Sequence, residues 1–210
     1  MMMPQSPRQP RQRGLTLVEM LLATASTALI GLAIAGMLSM VAYGTQEAKD
    51  ARSLVVQSKA VNSRLTAAIR QGGLILAANT PTDTGDDWLI LWVPAADAQA
   101  SAPKLSELHR LEYNSTARTI RSYRNTAPAS DTAYALTDDF KAITDTLISN
   151  GTLTAEIWAT DIDAAALRLD SATVQDAALV TYRLTLRHGD LTEEVVSAAA
   201  LRNRGLAAGE

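Results

Sequence analysis

From Leu15 to Tyr43 the chain reads LTLVEMLLATASTALIGLAIAGMLSMVAY, and Glu19 is the one charged residue in these twenty-nine. As an α-helix this run reaches roughly 43 Å, more than the ~30 Å hydrocarbon core of a bilayer, and so predicts a membrane span. Beyond Tyr43 polarity rises but the helical period continues. Ala48, Ala51, Leu54, Val55, Ser58, Val61, Leu65, Ala68 and Ile69 fall largely at three- and four-residue steps, which makes one amphipathic face. No proline lies between Pro10 and Pro81, and Gly72-Gly73 supplies a stop. The pattern therefore predicts one helix over 16–71, membrane in its first half and docked in its second. A break at Gly44 with a separate surface helix is the competing arrangement, and Gly31 and Gly36 are the positions that could soften the apolar half.

After the turn-forming stretch AANTPTDTGDD, the run WLILWVP (88–94) predicts the first strand of a sheet, closed by Pro94. Residues 108–114 and 117–124 flank Ser115-Thr116 as a hairpin, and 137–150 form a short helix ended by Asn150-Gly151. Strands resume at 153–159 and 164–169. The clearest is 178–188, where Val180, Tyr182, Leu184 and Leu186 alternate with Thr181, Arg183, Thr185 and Arg187, so that one face is buried. His188-Gly189-Asp190 turns the chain into a last strand over 191–202. The expected class is α+β, a long N-terminal helix packed on an antiparallel sheet.

Composition narrows the function. The chain has 210 residues, 47% hydrophobic and 20% charged, enough for one domain with a core plus an appendage. A net charge of -3 and a pI near 5.4 argue against a protein that holds nucleic acid by neutralising phosphates. With no cysteine and two histidines, His109 and His188, there is no disulfide, thiolate site or cysteine nucleophile, and a multi-histidine zinc site has too few ligands. Ahead of the apolar run lie Arg8, Arg11 and Arg13 without an acid, which by the positive-inside rule keeps the N-terminus cytoplasmic and sends the rest across. A cleaved secretory signal, with Ala23 and Ala25 or Ala33 and Ala35 as its cleavage site, would have an apolar region of ~7 to 15 residues and would not be expected to carry an acid near its start.

Arg13-Gly14-Leu15-Thr16-Leu17-Val18-Glu19-Met20-Leu21-Leu22 resembles the class III signal of type IV prepilins and type II secretion pseudopilins. The resemblance implies cleavage by prepilin peptidase between Gly14 and Leu15, N-methylation of Leu15, and Glu19 as the characteristic acid at the fifth mature position. The family usually begins its mature chain with phenylalanine, so Leu15 is a departure. The motif covers about ten residues, and the rest of the chain is matched by architecture: a pilin-like fold with a leader at 1–14, a transmembrane and assembly half-helix at 15–44 and a periplasmic domain at 45–210. Implied partners are prepilin peptidase, other pilins or pseudopilins and the inner-membrane assembly platform. The physical logic stands beside it. Gly14 has no side chain to obstruct a protease, and a new amine at Leu15 can pair with Glu19 of a neighbouring subunit where neither charge is stable alone. Thr24, Ala28, Gly31 and Ala35 recur at a spacing that permits close helix packing.

Other chemistry ranks lower. His109 and His188 sit in strand patterns without a GxSxG elbow or an HExxH pair, and are read as structural. Asp83, Asp86 and Asp87 form an acidic loop without the regular ligand spacing of a calcium loop, so a solvated turn is expected. Arg118, Arg121 and Arg124 give the hairpin positive charge, but strand alternation sends Arg121 to the opposite face from the other two. Trp88 and Trp92 share a strand face and are expected to pack against the long helix. The expectation is thus a non-enzymatic minor pilin or pseudopilin without catalytic residues, metal or cofactor, in the cytoplasmic membrane and then in a periplasmic or cell-surface filament. The alternatives are an uncleaved single-span periplasmic adaptor or binding domain and, third, an anchored hydrolase.

Overall fold

The structure, a computed structural model, describes residues 16–79, 86–94, 102–125 and 127–202. The chain divides into two units, Met1–Lys49 and Asp50–Glu210. A single helix, α1 (Leu17–Gln71), contributes to both. Its residues up to Lys49 are exposed throughout, and it is the one helix among the described residues long and apolar enough to cross a membrane. The hydroxyls in this half donate back to the helix itself. Thr24 reaches Met20 O at 3.0 Å, Ser26 Leu22 O at 2.8 Å, Thr27 Ala23 O at 2.8 Å and Ser39 Ala35 O at 2.9 Å. Hydrocarbon offers no water to satisfy a donor, so these bonds make the polar side chains compatible with it.

In the second unit the rest of α1 buries Leu54, Ser58, Val61, Leu65, Ala68 and Ile69. The three- and four-residue steps between them place all six on one stripe. Ala48, Ala51 and Val55, expected on this face, are exposed. Strands β1 (Leu74–Ala78), β2 (Trp88–Trp92), β3 (Leu108–Asn114), β4 (Thr119–Arg124) and β5 (Thr154–Ala159) form one antiparallel sheet in sequence order. Strands β6 (Ile162–Leu169), β7 (Leu179–His188) and β8 (Leu191–Ala200) form a second. The α1 stripe shares one core with Ile75, Leu89, Leu91 and Leu111 of the first sheet and with Val180, Tyr182, Leu184 and Leu186 of the second.

Polar contacts fix where the helix sits. Tyr182 donates to Asn62 Oδ1 at 2.5 Å and lies 2.7 Å from Thr66 Oγ1, while Gln57 Nε2 donates to Thr160 O at 2.6 Å. At the end of α1, Gly72 lies close to its neighbours, so that an added side chain would require them to shift by a few tenths of an ångström. A Cβ there would meet Leu201 Cδ2 at 3.0 Å and Leu91 Cδ2 at 3.2 Å, and Gly72 O accepts from Arg202 N at 2.9 Å.

The architecture is α+β, with three corrections to the expected sheet. It begins at β1 rather than at Trp88. Leu-Ile-Leu-Ala-Ala has neither alternation nor many β-branched residues, and it is recruited by pairing with β2. There are two sheets rather than one, because the chain turns at Thr160-Asp161. Asp161 adopts φ 57°, Ile162 N donates to Arg118 O at 3.0 Å, and β6 then pairs with β7. Trp88 and Trp92 face away from α1. They pack with Leu76, Ile90, Leu108 and Tyr123 beneath a second helix, α2 (Phe140–Ser149), through Phe140. Helix α2 starts at Asp139, whose Oδ1 accepts from Ala142 N at 3.0 Å, and ends at Asn150-Gly151, with Gly151 at φ 76°. Its cover makes β2 apolar on both faces.

A fragment beginning at Thr45 is expected to unfold cooperatively, whereas one beginning after Gly73 loses the cover of both sheets. That loss forfeits on the order of 25 cal/mol for each Å² uncovered, against a stability margin of about 5–15 kcal/mol. Urea unfolding followed by circular dichroism checks this, and equal midpoints for the two fragments would show that the sheets do not need α1.

Candidate functional site

Three places carry chemistry, and the first is the start of α1. Glu19 Oε2 accepts from Thr16 N at 2.8 Å and from Thr16 Oγ1 at 3.0 Å, and Glu19 N donates to Thr16 Oγ1 at 3.3 Å. This is a reciprocal capping box, in which the side chains of the first and fourth residues satisfy amides that the helix leaves open. Its signal was present as Thr-x-x-Glu before an apolar run, and sequence reasoning passed over it. Gly14 and Leu15 lie outside the described residues. Glu19 therefore has one role visible in the isolated chain, capping, and its carboxylate sits at the helix end where the macrodipole is positive.

The second place is His109, buried at 5% exposure on β3. Its Nε2 lies 2.8 Å from Ser122 Oγ on β4, and its ring meets Trp158 of β5 edge-on at 5.8 Å. Burial, and secondarily the Arg124 cation, push the imidazole down to about 4, with Glu156 opposing. The ring is thus neutral across the physiological range, and its hydroxyl partner is itself fully buried. His188 is half exposed, 3.8 Å from Asp50 Oδ1 and 3.7 Å from Asp161 Oδ2. The histidines are far apart in the topology, one inside the first sheet and one at the β7–β8 turn.

The third is a buried ion network that sequence reasoning missed. Arg110 on β3, 6% exposed, pairs with Glu112 at 2.7 Å and with Asp145 of α2, donates to Thr144 Oγ1 at 3.1 Å and lies 5.7 Å over the Trp88 ring. Lys141 joins Asp145 at 3.0 Å. Burial pulls the Asp145 carboxyl upward, but hydrogen bonds and charge from Arg110 and Lys141 outweigh it and hold the group below its ordinary value. The network ties α2 to the sheet. In sequence, Arg110 is one basic residue in LHRLEYN with nothing to mark it as buried.

The expected loop and hairpin candidates do not converge. Asp86 Oδ1 accepts from Ser115 N at 2.8 Å, whereas Asp87 Oδ2 accepts from Leu167 N of β6 at 2.8 Å and so stitches one sheet to the other. Asp83 lies outside the described residues. Among the described residues no three acids or histidines are placed to hold a metal ion. Arg118 occupies the β3–β4 turn at φ 54° and pairs with Asp163 at 3.1 Å, Arg121 Nε donates to Thr119 Oγ1 at 3.1 Å, and Arg124 is exposed at the end of β4.

Acid stability tests the His109 assignment. Its folded-state value lies below the ordinary 6.5, so between the two the unfolded chain binds more protons and stability rises with pH. The contribution is complete above the unfolded value and is lost as pH falls through the folded one, and its size is about 3 kcal/mol. Replacing His109→Gln is expected to flatten stability between pH 6.5 and 4 relative to the parent, as read by urea midpoints across that range. Parallel profiles would contradict a buried neutral imidazole.

In comparisons with known proteins, no family model and no curated protein matches the chain.

Proposed function

We propose that this chain is a minor pilin or pseudopilin, a structural and non-enzymatic subunit of a type IV pilus or type II secretion pseudopilus. In this reading it enters the cytoplasmic membrane through the apolar half of α1, with its sheets in the periplasm. Prepilin peptidase cuts after Gly14, Leu15 is methylated, and the assembly platform draws the subunit among other pilins into a filament in the periplasm or at the cell surface. The observation that supports it best is α1 itself. One helix carries an exposed apolar half with a single carboxylate at its start, and an amphipathic half that is the common cover of two antiparallel sheets. Glu19 fits the assembly role on chemical grounds. Cleavage at Gly14 would create an amine on Leu15, which is bonded directly to Thr16, and a carboxylate in an apolar span is costly until it meets an opposite charge.

A second reading, an uncleaved single-span adaptor, draws support from the capping box, because Thr16 gives Glu19 a partner without any neighbouring subunit. Two experiments separate the readings. Mass spectrometry of the membrane form is expected to find a mature chain starting at Leu15 with a methylated amine. An intact leader in cells with active prepilin peptidase, or cleavage near Ala25 or Ala35, would contradict the pilin reading.

The other compares two variants. Glu19→Ala removes both cap and charge, whereas Glu19→Gln keeps an acceptor that a capping box tolerates and removes the charge. With leader cleavage intact, both are expected to lower crosslinking to other pilins by roughly tenfold or more, the cost of leaving an opposite charge unpaired. Wild-type incorporation of Glu19→Gln would reduce Glu19 to a helix cap.

A further inference from the structure

The α1 stripe does not cover the whole inner face of the first sheet. Toward β5 the helix and the strands bound a shallow cleft of about 210 Å³, wholly within the second unit, and its lining changes from apolar to charged. One wall is the last two turns of α1, with Arg64 and the methyls of Ala67 and Ala68. The other is strand residues: Arg124 from β4, Glu156 and Trp158 from β5, and His109 at the floor. Register explains the convergence, since Arg124 stands opposite His109, and Glu156 opposite Ser122, on neighbouring strands.

We propose that this cleft receives an acidic side chain of a protein partner, its carboxylate held between Arg64 and Arg124 and its methylenes against Trp158 and the two alanines. The charge balance selects the ligand. Two guanidinium groups and one carboxylate leave a net charge of +1, which neutralises a single carboxylate in full and a phosphate dianion only by half. Glu156 lies 3.7 Å from Arg64 with both side chains about half exposed, 53% and 49%, a loose pair that an incoming acid can replace. Volume argues the same way, because small-molecule sites usually occupy ~300–1,000 Å³, whereas this cleft is of side-chain size. The floor is prepared as well. His109 is held in place by Ser122 through Nε2, which fixes the ring at the base of the cleft. The proposal does not depend on the pilin reading.

The test uses the full chain in detergent micelles, with the Trp158 indole N–H followed by NMR and assigned by loss of its signal in Trp158→Phe. A capped peptide with a central glutamate is titrated beside its glutamine counterpart, acetate and inorganic phosphate. The glutamate peptide is expected to shift Trp158 saturably and the glutamine peptide not to. Arg64→Gln and Arg124→Gln should each weaken binding by about fivefold, and Glu156→Gln should tighten it by about threefold. Unchanged urea midpoints show that these surface variants remain folded. No saturable shift, an equal shift by the glutamine peptide, or weaker binding to Glu156→Gln would overturn the site. Acetate or phosphate acting at the same midpoint as the peptide would overturn the assignment to a protein partner.

Discussion

Two sheets in this protein share one cover, the stripe of Leu54, Val61, Leu65, Ala68 and Ile69 on α1. Each sheet alone has an apolar inner face and no means of burying it. Strand β7, at the centre of the second sheet, presents Val180, Tyr182, Leu184 and Leu186 to the same helix that covers Leu89 and Leu91 of the first. The turn at Asp161, the Tyr182 contacts with Asn62 and Thr66, and the close approach at Gly72 are consequences, because each sets the distance or angle at which that stripe meets a sheet. The stretch of helix bound in this way cannot leave the domain without opening its core.

The two halves of α1 satisfy their polar side chains by different means. In the apolar half every bond that quiets a hydroxyl is made within three or four residues, so that stretch needs no tertiary partner to be stable in lipid. In the docked half Ser58 still bonds within the helix, but Gln57 reaches Thr160 and Asn62 and Thr66 meet Tyr182 across the domain. The carboxylate at Glu19 is also held locally, by Thr16. It differs from the hydroxyls in carrying a charge, which in an apolar span is costly until an opposite charge joins it, and this is why its partner is the centre of the functional reading.

What could be read from the sequence depended on whether a face was open to solvent. Strand β7 was legible because its outer positions are polar and its inner ones apolar, and α1 because its period persists past Tyr43. Strand β2 hid its orientation, since α1 and α2 bury it from both sides and alternation vanishes, which sent Trp88 and Trp92 to the wrong helix. Strand β1 owes its existence to pairing rather than propensity. Of the chemistry, Glu19 stood out as a lone charge in an apolar run. The buried Arg110, the neutral His109 and the cleft above it did not, because Arg64, Arg124, Glu156 and Trp158 come from three elements and look like ordinary surface residues until the register aligns them.

The central claim is that α1 is one helix with two solvents, and amide hydrogen exchange reads it residue by residue. With the protein in bilayer nanodiscs, amides over 17–43 are expected to be protected, and those from Leu54 to Ile69 to exchange as slowly as the inner positions of β7, through the same global opening. Removing the bilayer should release the first group and leave the second unchanged. Fast exchange from Leu54 to Ile69 while β7 stays protected would contradict the account, because it would show sheets that hold together without the helix.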